Sequence, residues 1–291
     1  MAGSAATVAP DTSPAPPTLA HPAAALMSFV SKTFAIAGAE GRKLGHDPTE
    51  LLTRAVQPAL WLLVFGNVFT RMHAIPTGDM PYLDFMAPGI LAQSVLFIAI
   101  FYGIAVIWER DLGIVHKMLV SPTPRTALVL GKALSAGLRA IAQAVIIYAL
   151  ALVLGVRMNW SPLALCGVLC VVLLGAAIFS TFSLIIACIV RTRERFMGVG
   201  QLLTMPLFFA SNAIYPVEVM PGWLQVVARL NPLSYQIDAL RRLMLAATPA
   251  GAGGASSTTG EFALAIDFAV LLLVLLIVLI AGARLYPRII R

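Results

Sequence analysis

The fold of this chain is decided by uncharged apolar runs, and the clearest of them, Leu163 to Val190, reads LALCGVLCVVLLGAAIFSTFSLIIACIV. A helix rises about 1.5 Å per residue, so about 20 apolar residues cross the roughly 30 Å of hydrocarbon in a membrane. This run is longer than that and contains no charged residue. It therefore predicts a membrane-spanning helix.

Five further apolar runs divide the rest of the chain, and each is long enough to cross a membrane. The whole chain is 59% hydrophobic and 11% charged, whereas an ordinary soluble domain has about 25% charged residues. A soluble globular enzyme is therefore excluded, and the predicted fold class is an all-α membrane protein with six transmembrane helices. The predicted spans are 51–70, 83–107, 126–155, 163–190, 196–214 and 262–283.

The cations between the runs predict the orientation, because Lys and Arg residues resist translocation across the membrane. With the N-terminus inside, fourteen of the twenty Lys and Arg residues lie on the cytoplasmic side, and both termini are cytoplasmic. The net charge of +7 is thus explained by topology, and the cations do not cluster on one soluble face as nucleic-acid binding requires. The fourteen are Lys32, Arg42, Lys43, Arg54, Arg110, Lys117, Arg125, Lys132, Arg191, Arg193, Arg195, Arg284, Arg288 and Arg291. Arg139 lies inside the third run, and the outer side receives Arg71, Arg157, Arg229, Arg241 and Arg242.

Three segments outside the spans have predicted roles of their own. Residues 1–25 are rich in Ala and Pro, which predicts a disordered tail. Residues 26–50 place apolar positions at helical spacing before basic ones, which predicts an interfacial helix at the inner membrane surface, with a plain leader helix as the alternative. The stretch 215–261 mixes Pro, Gly and short apolar pieces, which suits re-entrant outer helices before the last span and then a flexible linker.

The sequence also limits the source of energy for transport. Ion-coupled carriers usually need ionisable groups at the membrane midplane, but no Asp or Glu lies near the middle of a predicted span, and Asp267 is close to the outer end of the sixth. The pair Gly131-Lys132 lacks the preceding glycine loop that binds phosphate, so ATP would have to be hydrolysed by another subunit. The four histidines are scattered, which predicts neither a catalytic group nor a metal site in this chain.

The loop between the second and third predicted spans is the candidate for contact with such a subunit. Charges at its start, an amphipathic middle and two prolines describe a short surface helix with a fixed end, and a plain solvated connector is the alternative. The arginine-rich turn 191–195 is explained by topology, with a subunit contact as its alternative. The predicted coupling residues are Glu109, Arg110, Asp111, Gly113, Lys117, Leu119, Pro122 and Arg125.

A basic stripe follows the third predicted span. Arg125, Lys132 and Arg139 recur every seven residues, so they lie on one helix face, which Gln143 extends. An Arg at the centre of the hydrocarbon costs about 2.5–3.5 kcal/mol on insertion scales. One interpretation makes Lys132, Arg139 and Gln143 a path for anionic lipid or substrate headgroups. The other makes them structural: Lys132 snorkels towards the membrane surface, and Arg139 pairs with carbonyls or with a neighbouring helix.

Short motifs in a fixed order connect these observations to a known family. The motifs are Gln57-Pro58, Phe65-Gly66, Glu109-Arg110, Gly113, Leu119, Pro122, Arg125, Gly131-Lys132 and Asn231-Pro232-Leu233-Ser234-Tyr235. With these motifs in this order, the chain from about residue 32 to residue 291 resembles the membrane subunit of ABC-2 type exporters and is similar to daunorubicin-resistance and lipo-oligosaccharide exporter permeases. Residues 26–291 would then form one ABC-2 type transmembrane domain.

The resemblance implies a homodimeric permease of the bacterial inner membrane that contacts membrane lipids and binds cytoplasmic ATP-binding cassette subunits, which hold ATP and Mg. The loop from Glu109 to Arg125 would be the coupling helix, and its movement would open a path along the first, second and fifth spans. An amphiphilic drug or lipid-like substrate would leave outward, past an outer re-entrant region. That region would include Pro216, Asn231, Pro232 and Tyr235.

Other functions stay open at this point. The same layout serves exporters of lipo-oligosaccharide or polysaccharide, and a membrane assembly protein that moves no substrate is a rival from another class. The sparse polar residues within the spans favour amphiphiles over long hydrophilic polymers. An ion-coupled carrier is disfavoured because the midplane carboxylates are missing.

Overall fold

The structure is a computed structural model that describes residues 48–72, 80–112, 125–190, 192–245 and 263–285. Within these ranges the chain is almost entirely helical. The helices are α1 (the consecutive segments Pro48–Leu60, Trp61–Gly66 and Asn67–Met72), α2 (Tyr82–Asp111), α3 (Arg125–Val153), α4 (Pro162–Ile189), α5 (Arg193–Phe209), α6 (Gly222–Leu230), α7 (Pro232–Met244) and α8 (Leu264–Leu285).

Four helices in the described ranges are long and apolar enough to cross a membrane. They coincide with the second, third, fourth and sixth predicted spans, as a membrane protein requires. The first predicted span lies in α1, and the fifth lies largely in α5, which has 17 residues. Six spans and the orientation of the termini therefore stay predictions. The four candidate spans are Tyr82–Asp111, Leu130–Val153, Pro162–Ile189 and Leu264–Leu285.

The first helix widens into a π-helical turn over Trp61–Gly66. The turn follows Pro58, which has no backbone N–H to donate within the helix. Polar side chains in the following turn bond to its carbonyls: Asn67 Nδ2 donates to Leu63 O over 2.9 Å, and Thr70 Oγ1 donates to Gly66 O over 2.6 Å. Such turns within α-helices are frequently found at functional sites, which makes α1 a candidate wall of a functional site.

The central helix is α4, the uncharged run with which the sequence analysis began. It packs against α2, α3, α7 and α8. Its start is defined locally, because Ser161 caps it by accepting a hydrogen bond from the Ala164 N–H over 3.2 Å and Pro162 occupies its first turn. Gly175 lets α7 approach, since a Cβ there would overlap the amide of Gln236. Small residues allow this close packing of apolar helices.

Two ion pairs show that the helices alternate in direction. Arg193 begins α5 and lies 2.9 Å from the carboxylate of Asp111, the last residue of α2. Arg157 follows α3 and lies 3.3 Å from the carboxylate of Asp84, at the start of α2. We call the end with Asp111 and Arg193 the inner end, because it is predicted to face the cytoplasm, and the opposite end the outer end.

The fifth predicted span ends later than the helix that the structure shows. The predicted span extends to residue 214, but α5 ends at Phe209 and a turn follows. Polar contacts hold the chain there: the Asn231 amide donates to Leu207 O over 2.7 Å and to Ala210 O over 3.2 Å. Tertiary hydrogen bonds thus override local apolarity at this position.

Two short helices, α6 and α7, occupy the stretch predicted to form re-entrant outer helices. The first packs on the 3₁₀ turn Val217–Val219, and α7 packs against α2, α4 and α8. Their helical structure is therefore found where it was expected, whereas their entry into the membrane stays a prediction. The tail 1–25 and the interfacial segment as far as residue 47 lie outside the described residues.

Candidate transport groove and inner cluster

A groove of about 620 Å³ runs along the inner half of α2. Most of its lining residues are apolar and recur at intervals of three and four, so they form one face of the helix. A cation from α3 completes the wall. We call this space the inner groove, and it is lined by Ile98, Phe101, Tyr102, Ile104, Ala105, Trp108 and Arg139.

A second groove of about 280 Å³ lies between α1 and α2 and adjoins the first, since Ile98 and Phe101 line both. This central groove is more polar at its deep end, where Gln93 Oε1 is buried and has no hydrogen-bond partner among the described residues. From Gln93 to Trp108 the helix rises about 22 Å. The lining residues are Thr53, Gln57, Pro58, Gln93, Ser94, Phe97, Ile98 and Phe101.

The combined grooves suit a ligand with a large apolar part. Sites for small molecules are mostly apolar, measure about 300–1,000 Å³ and contain few polar groups, and the inner groove falls within that range. Burial of apolar area against the rings of Phe97, Phe101 and Tyr102 would supply about 25 cal/mol per Å². The amides of Gln57 and Gln93 offer hydrogen bonds to polar atoms of the ligand. This arrangement can bind and orient an amphiphile.

The residues of the predicted basic stripe make different contacts. The ammonium group of Lys132 bonds to the carboxylate of Glu109, and the Lys132 side chain is 5% exposed. A buried charge needs such a partner. Lys132 therefore joins α3 to α2 near the inner end, whereas the structural interpretation of the stripe had this side chain snorkelling towards the membrane surface. Arg125 begins α3, and its side chain is outside the described residues.

The next member of the stripe, Arg139, lines the inner groove. Its guanidinium lies 5.1 Å from the ring centroid of Tyr102, within the range of a cation–π contact. Tyr102 is nine residues before the end of α2, so Arg139 lies about 14 Å from the inner end. Gln143, one turn further, is buried, and its amide atoms have no hydrogen-bond partner among the described residues.

A cluster at the inner end joins α2 to α5. Arg193 Nη2 lies 2.9 Å from Asp111 Oδ2, and the Arg193 guanidinium lies 3.5 Å from the ring centroid of Trp108. Arg110 Nη2 also contacts Asp111, at 3.1 Å. We call Trp108, Asp111 and Arg193 the inner cluster. The sequence predicted a topological role for Arg193, with a subunit contact as the alternative, and it could not predict these partners because they are distant in the chain.

The predicted coupling residues are only partly within the described ranges. Glu109, Arg110 and Asp111 form the inner end of α2, and Glu109 is held by Lys132. The remaining ones lie in the loop between α2 and α3 or begin α3, so the loop's predicted helix stays a prediction. Those outside the described residues are Gly113, Lys117, Leu119 and Pro122.

At the outer end, a buried charged network joins α7 to the turn after α5. Arg241 Nη2 donates to Asn212 O over 2.8 Å and lies 4.0 Å from the Phe85 ring centroid. Asn212 Nδ2 donates to Asp238 Oδ1 over 2.5 Å, and Arg241 Nη1 lies 3.4 Å from the same oxygen. Burial lowers the pKa of Arg241 to about 10, while Asp238 opposes the shift, so the guanidinium stays charged at neutral pH.

Sequence reasoning missed this network. It assigned Arg241 to the outer side and gave Asp238 no role. The signal that could have found them is their spacing, because residues at i and i+3 face each other on a helix. Their burial against α2 depends on packing and has no signature in the sequence.

Three of the predicted outer residues hold α7 in place. Asn231 caps the helix, accepting a hydrogen bond from the Leu233 N–H over 3.0 Å, and Pro232 occupies its first turn. The Tyr235 hydroxyl donates to Arg229 O over 2.8 Å, which ties α7 to α6. Pro216 lies farther away, at the start of the 3₁₀ turn. Asn231, Pro232 and Tyr235 thus have a local structural role.

Similarity to known proteins agrees with this architecture. Residues 32–245 match the family described as ABC-2 type transporter, which is more than half of the chain. The match includes α1 to α7 and ends just before the stretch that leads to α8.

Three relatives are similar over most of their length. The chain is 29% identical over 217 residues to ycf38 of Cyanophora paradoxa, named as a transport permease, covering 74% of each chain. It is 28% identical over 199 residues to the daunorubicin resistance ABC transporter permease protein DrrB1 of Streptomyces coeruleorubidus, covering 68% of this chain and 70% of that protein. It is 28% identical over 197 residues to nodulation protein J of Rhizobium leguminosarum bv. trifolii, covering 67% of this chain and 74% of that protein.

Proposed function

The chain belongs to the ABC-2 type transporter family, and we propose that it is the membrane-spanning permease subunit of an ATP-driven exporter that moves an amphiphilic substrate outward. Members of this family are membrane components of transporters. This chain, as a member with several apolar helices, is a multi-pass membrane protein. Direction, substrate and energy source are parts of the proposal.

The observation that carries the proposal is the pair of adjoining grooves along α2. They begin beside the inner cluster, continue for about 22 Å along the helix and end at the amides of Gln57 and Gln93. An apolar wall with a few polar groups selects molecules that combine the two characters. We therefore place the substrate path in the central groove between α1 and α2 and in the inner groove along α2.

The energy would come from a separate ATP-binding cassette subunit that holds ATP and Mg. The family implies such a partner, and in the proposal it docks on the loop after Asp111 in the cytoplasm of a bacterial cell, at the inner membrane. A second copy of the permease would complete the path by facing α1 and α5, and membrane lipids would surround the outward faces of the spans. The first helix has the exposed apolar surface that such a neighbour requires, including Leu60, Val64 and Phe65.

The substrate class follows from the grooves and from one relative. The name of DrrB1 states daunorubicin resistance, which is said of that protein. A compact amphiphile, such as a hydrophobic drug or a single lipid, fits the volume of the inner groove. Export of lipo-oligosaccharide or polysaccharide is the alternative, and it would need a wider path than the grooves supply.

The test is transport by the purified complex. The chain would be produced together with its ATP-binding cassette partner, inserted into liposomes and supplied with ATP, hydrophobic dyes and a fluorescent phospholipid. We expect ATP-dependent movement of at least one of these. Phe101→Ala should raise the KM of that substrate about tenfold, which corresponds to about 1.4 kcal/mol of lost contact.

The matched control is Leu163→Ala, because Leu163 lies at the outer end and is 85% exposed. It should leave the KM unchanged. Absence of a copurifying ATPase, or no ATP-dependent movement of any amphiphile by the intact complex, would contradict the proposal. An unchanged KM for Phe101→Ala would place the substrate path elsewhere.

A further inference from the structure

The fifth helix is fixed to α2 by a buried contact near its inner end. Phe196 is fully buried, and a Cβ at Gly103 would lie 2.5 Å from its ring, so a larger residue at Gly103 would displace the ring. Ser183 of α4 adds to this contact, since the Gly103 N–H donates to Ser183 Oγ over 3.0 Å. This close packing makes Phe196 a fixed point about which α5 can tilt.

A second contact lies one turn nearer to the inner end. There Arg193 pairs with Asp111 and covers the Trp108 ring, and the Arg193 and Asp111 side chains are 38% and 39% exposed. Exposed ion pairs are weak, because water screens them. This contact can therefore open and close without disturbing Phe196.

The inner cluster connects three parts of the molecule. Asp111 is the last residue of α2 and leads into the loop after α2. Trp108 lies beneath Arg193 and also lines the inner groove. Among the described residues, α5 packs chiefly on α2 and only sparsely on α4. A displacement of Asp111 would thus reach both α5 and the mouth of the inner groove directly.

We propose that Arg193 is a positioning residue for transport, which latches α5 to α2 through Asp111 and holds Trp108 at the mouth of the inner groove. This inference rests on the proposed function. When the partner ATPase moves the loop after α2, Asp111 leaves Arg193 and the ion pair opens. The Trp108 ring then loses its cation–π contact with Arg193. The inner end of α5 tilts about Phe196, and the inner groove changes shape. Without the latch, ATP hydrolysis continues but moves less substrate.

The test measures how many substrate molecules the complex moves per ATP hydrolysed, in liposomes with a fluorescent phospholipid or dye. Arg193→Gln should lower this ratio at least threefold. Arg193→Lys, which keeps the charge, should retain most of it. The double variant with Asp111→Arg and Arg193→Asp restores an ion pair with its charges exchanged. Its ratio should be higher than that of either single variant. Arg195→Gln is the matched control, because Arg195 is an exposed arginine of the same helix turn.

A second measurement does not depend on transport. With Trp61, Trp160 and Trp223 replaced by Phe, the fluorescence of Trp108 should change when ATP binds to the complex, and Arg193→Gln should abolish that change. A wild-type ratio in Arg193→Gln, no recovery in the charge exchange, or an unchanged fluorescence would each overturn the latch. Failure of the wild-type complex to move any substrate would contradict the proposed function instead, and the fluorescence would still test the latch.

Discussion

At the scale of single residues, the ion pairs differ most in their burial. Asp238 and Arg241 are almost completely buried, and each is held by Asn212 as well as by the other. Arg157 pairs with Asp84 at the same outer end, where the Asp84 side chain is 9% exposed but the Arg157 side chain is 64% exposed. Removal of one partner from a fully buried pair leaves an uncompensated charge, whereas water can replace a partner that is exposed.

The first prediction compares these two arginines. Arg241→Gln should lower the free energy of unfolding by about 3–5 kcal/mol, because it leaves Asp238 charged and buried. Arg157→Gln should lower it by less, because the Arg157 side chain is 64% exposed and water can take the place of its guanidinium beside Asp84. Denaturant unfolding of the purified chain in detergent measures both. Equal losses for the two variants would show that the buried network does not stabilise the outer end.

At the scale of elements, the two halves of α2 explain why the grooves form where they do. The outer half is buried from Asp84 to Leu96 against neighbouring helices and the turn after α5. The inner half keeps the face from Ile98 to Trp108 open. Close packing at one end thus fixes the helix, while the other end offers a surface to a ligand.

The second prediction concerns the packing of that outer half. Gly89→Ala should destabilise the chain by about 1–3 kcal/mol, because the new Cβ would lie 2.6 Å from Ala213 O and 2.8 Å from Ala213 Cα, which are backbone atoms. Thermal unfolding in detergent measures the loss.

Gly198→Ala is the matched control for this prediction. A Cβ at Gly198 meets no described atom within 4 Å, and alanine favours helix over glycine by about 1 kcal/mol. It should therefore leave the unfolding temperature unchanged or raise it. A higher unfolding temperature for Gly89→Ala would mean that the turn after α5 moves away freely.

At the scale of the whole molecule, the described contacts agree with an alternating topology. The predicted inner cations Lys132 and Arg193 meet at the inner end of α2, and the predicted outer cations Arg157 and Arg241 meet α2 near its outer end. An alternating helix direction by itself does not show which end of the helices faces the cytoplasm. The distribution of cations in the sequence is the argument for an inner end in the cytoplasm.

The third prediction tests that orientation. In a chain with Cys166, Cys170 and Cys188 replaced by Ser, a single cysteine from Leu112→Cys should react with an impermeant thiol reagent only from the cytoplasmic side. Glu218→Cys should react only from the outside. Both positions are exposed. Labelling of both from the same side would contradict the predicted topology.

Much of the fold could be predicted from the sequence because membrane helices have local signatures. Four predicted spans coincide with helices that are long and apolar enough to cross a membrane. Asn231-Pro232 is also a local signal, a capping residue followed by proline at the start of α7, although it was used in the sequence only as a family motif. The end of α5 could not be predicted, because the bend after Phe209 depends on hydrogen bonds from Asn231, which is more than twenty residues further along the chain.

The site could be predicted only in part. Arg139 was singled out by its seven-residue spacing, and it lines the inner groove. The same spacing also grouped Lys132 with Arg139, but Lys132 pairs with Glu109. Spacing shows which residues share a face of one helix, and it does not show which neighbour that face meets.

The sequence by itself determined that this is a helical membrane protein of the ABC-2 type, because long uncharged runs, flanking cations and the order of short motifs are properties of the chain in one dimension. Only the tertiary structure decided which side chains cooperate. Arg193 and Asp111 are separated by 82 positions, and the grooves arise where α1, α2 and α3 leave gaps. These relations depend on how the helices pack, and no local pattern of apolar and polar residues specifies them.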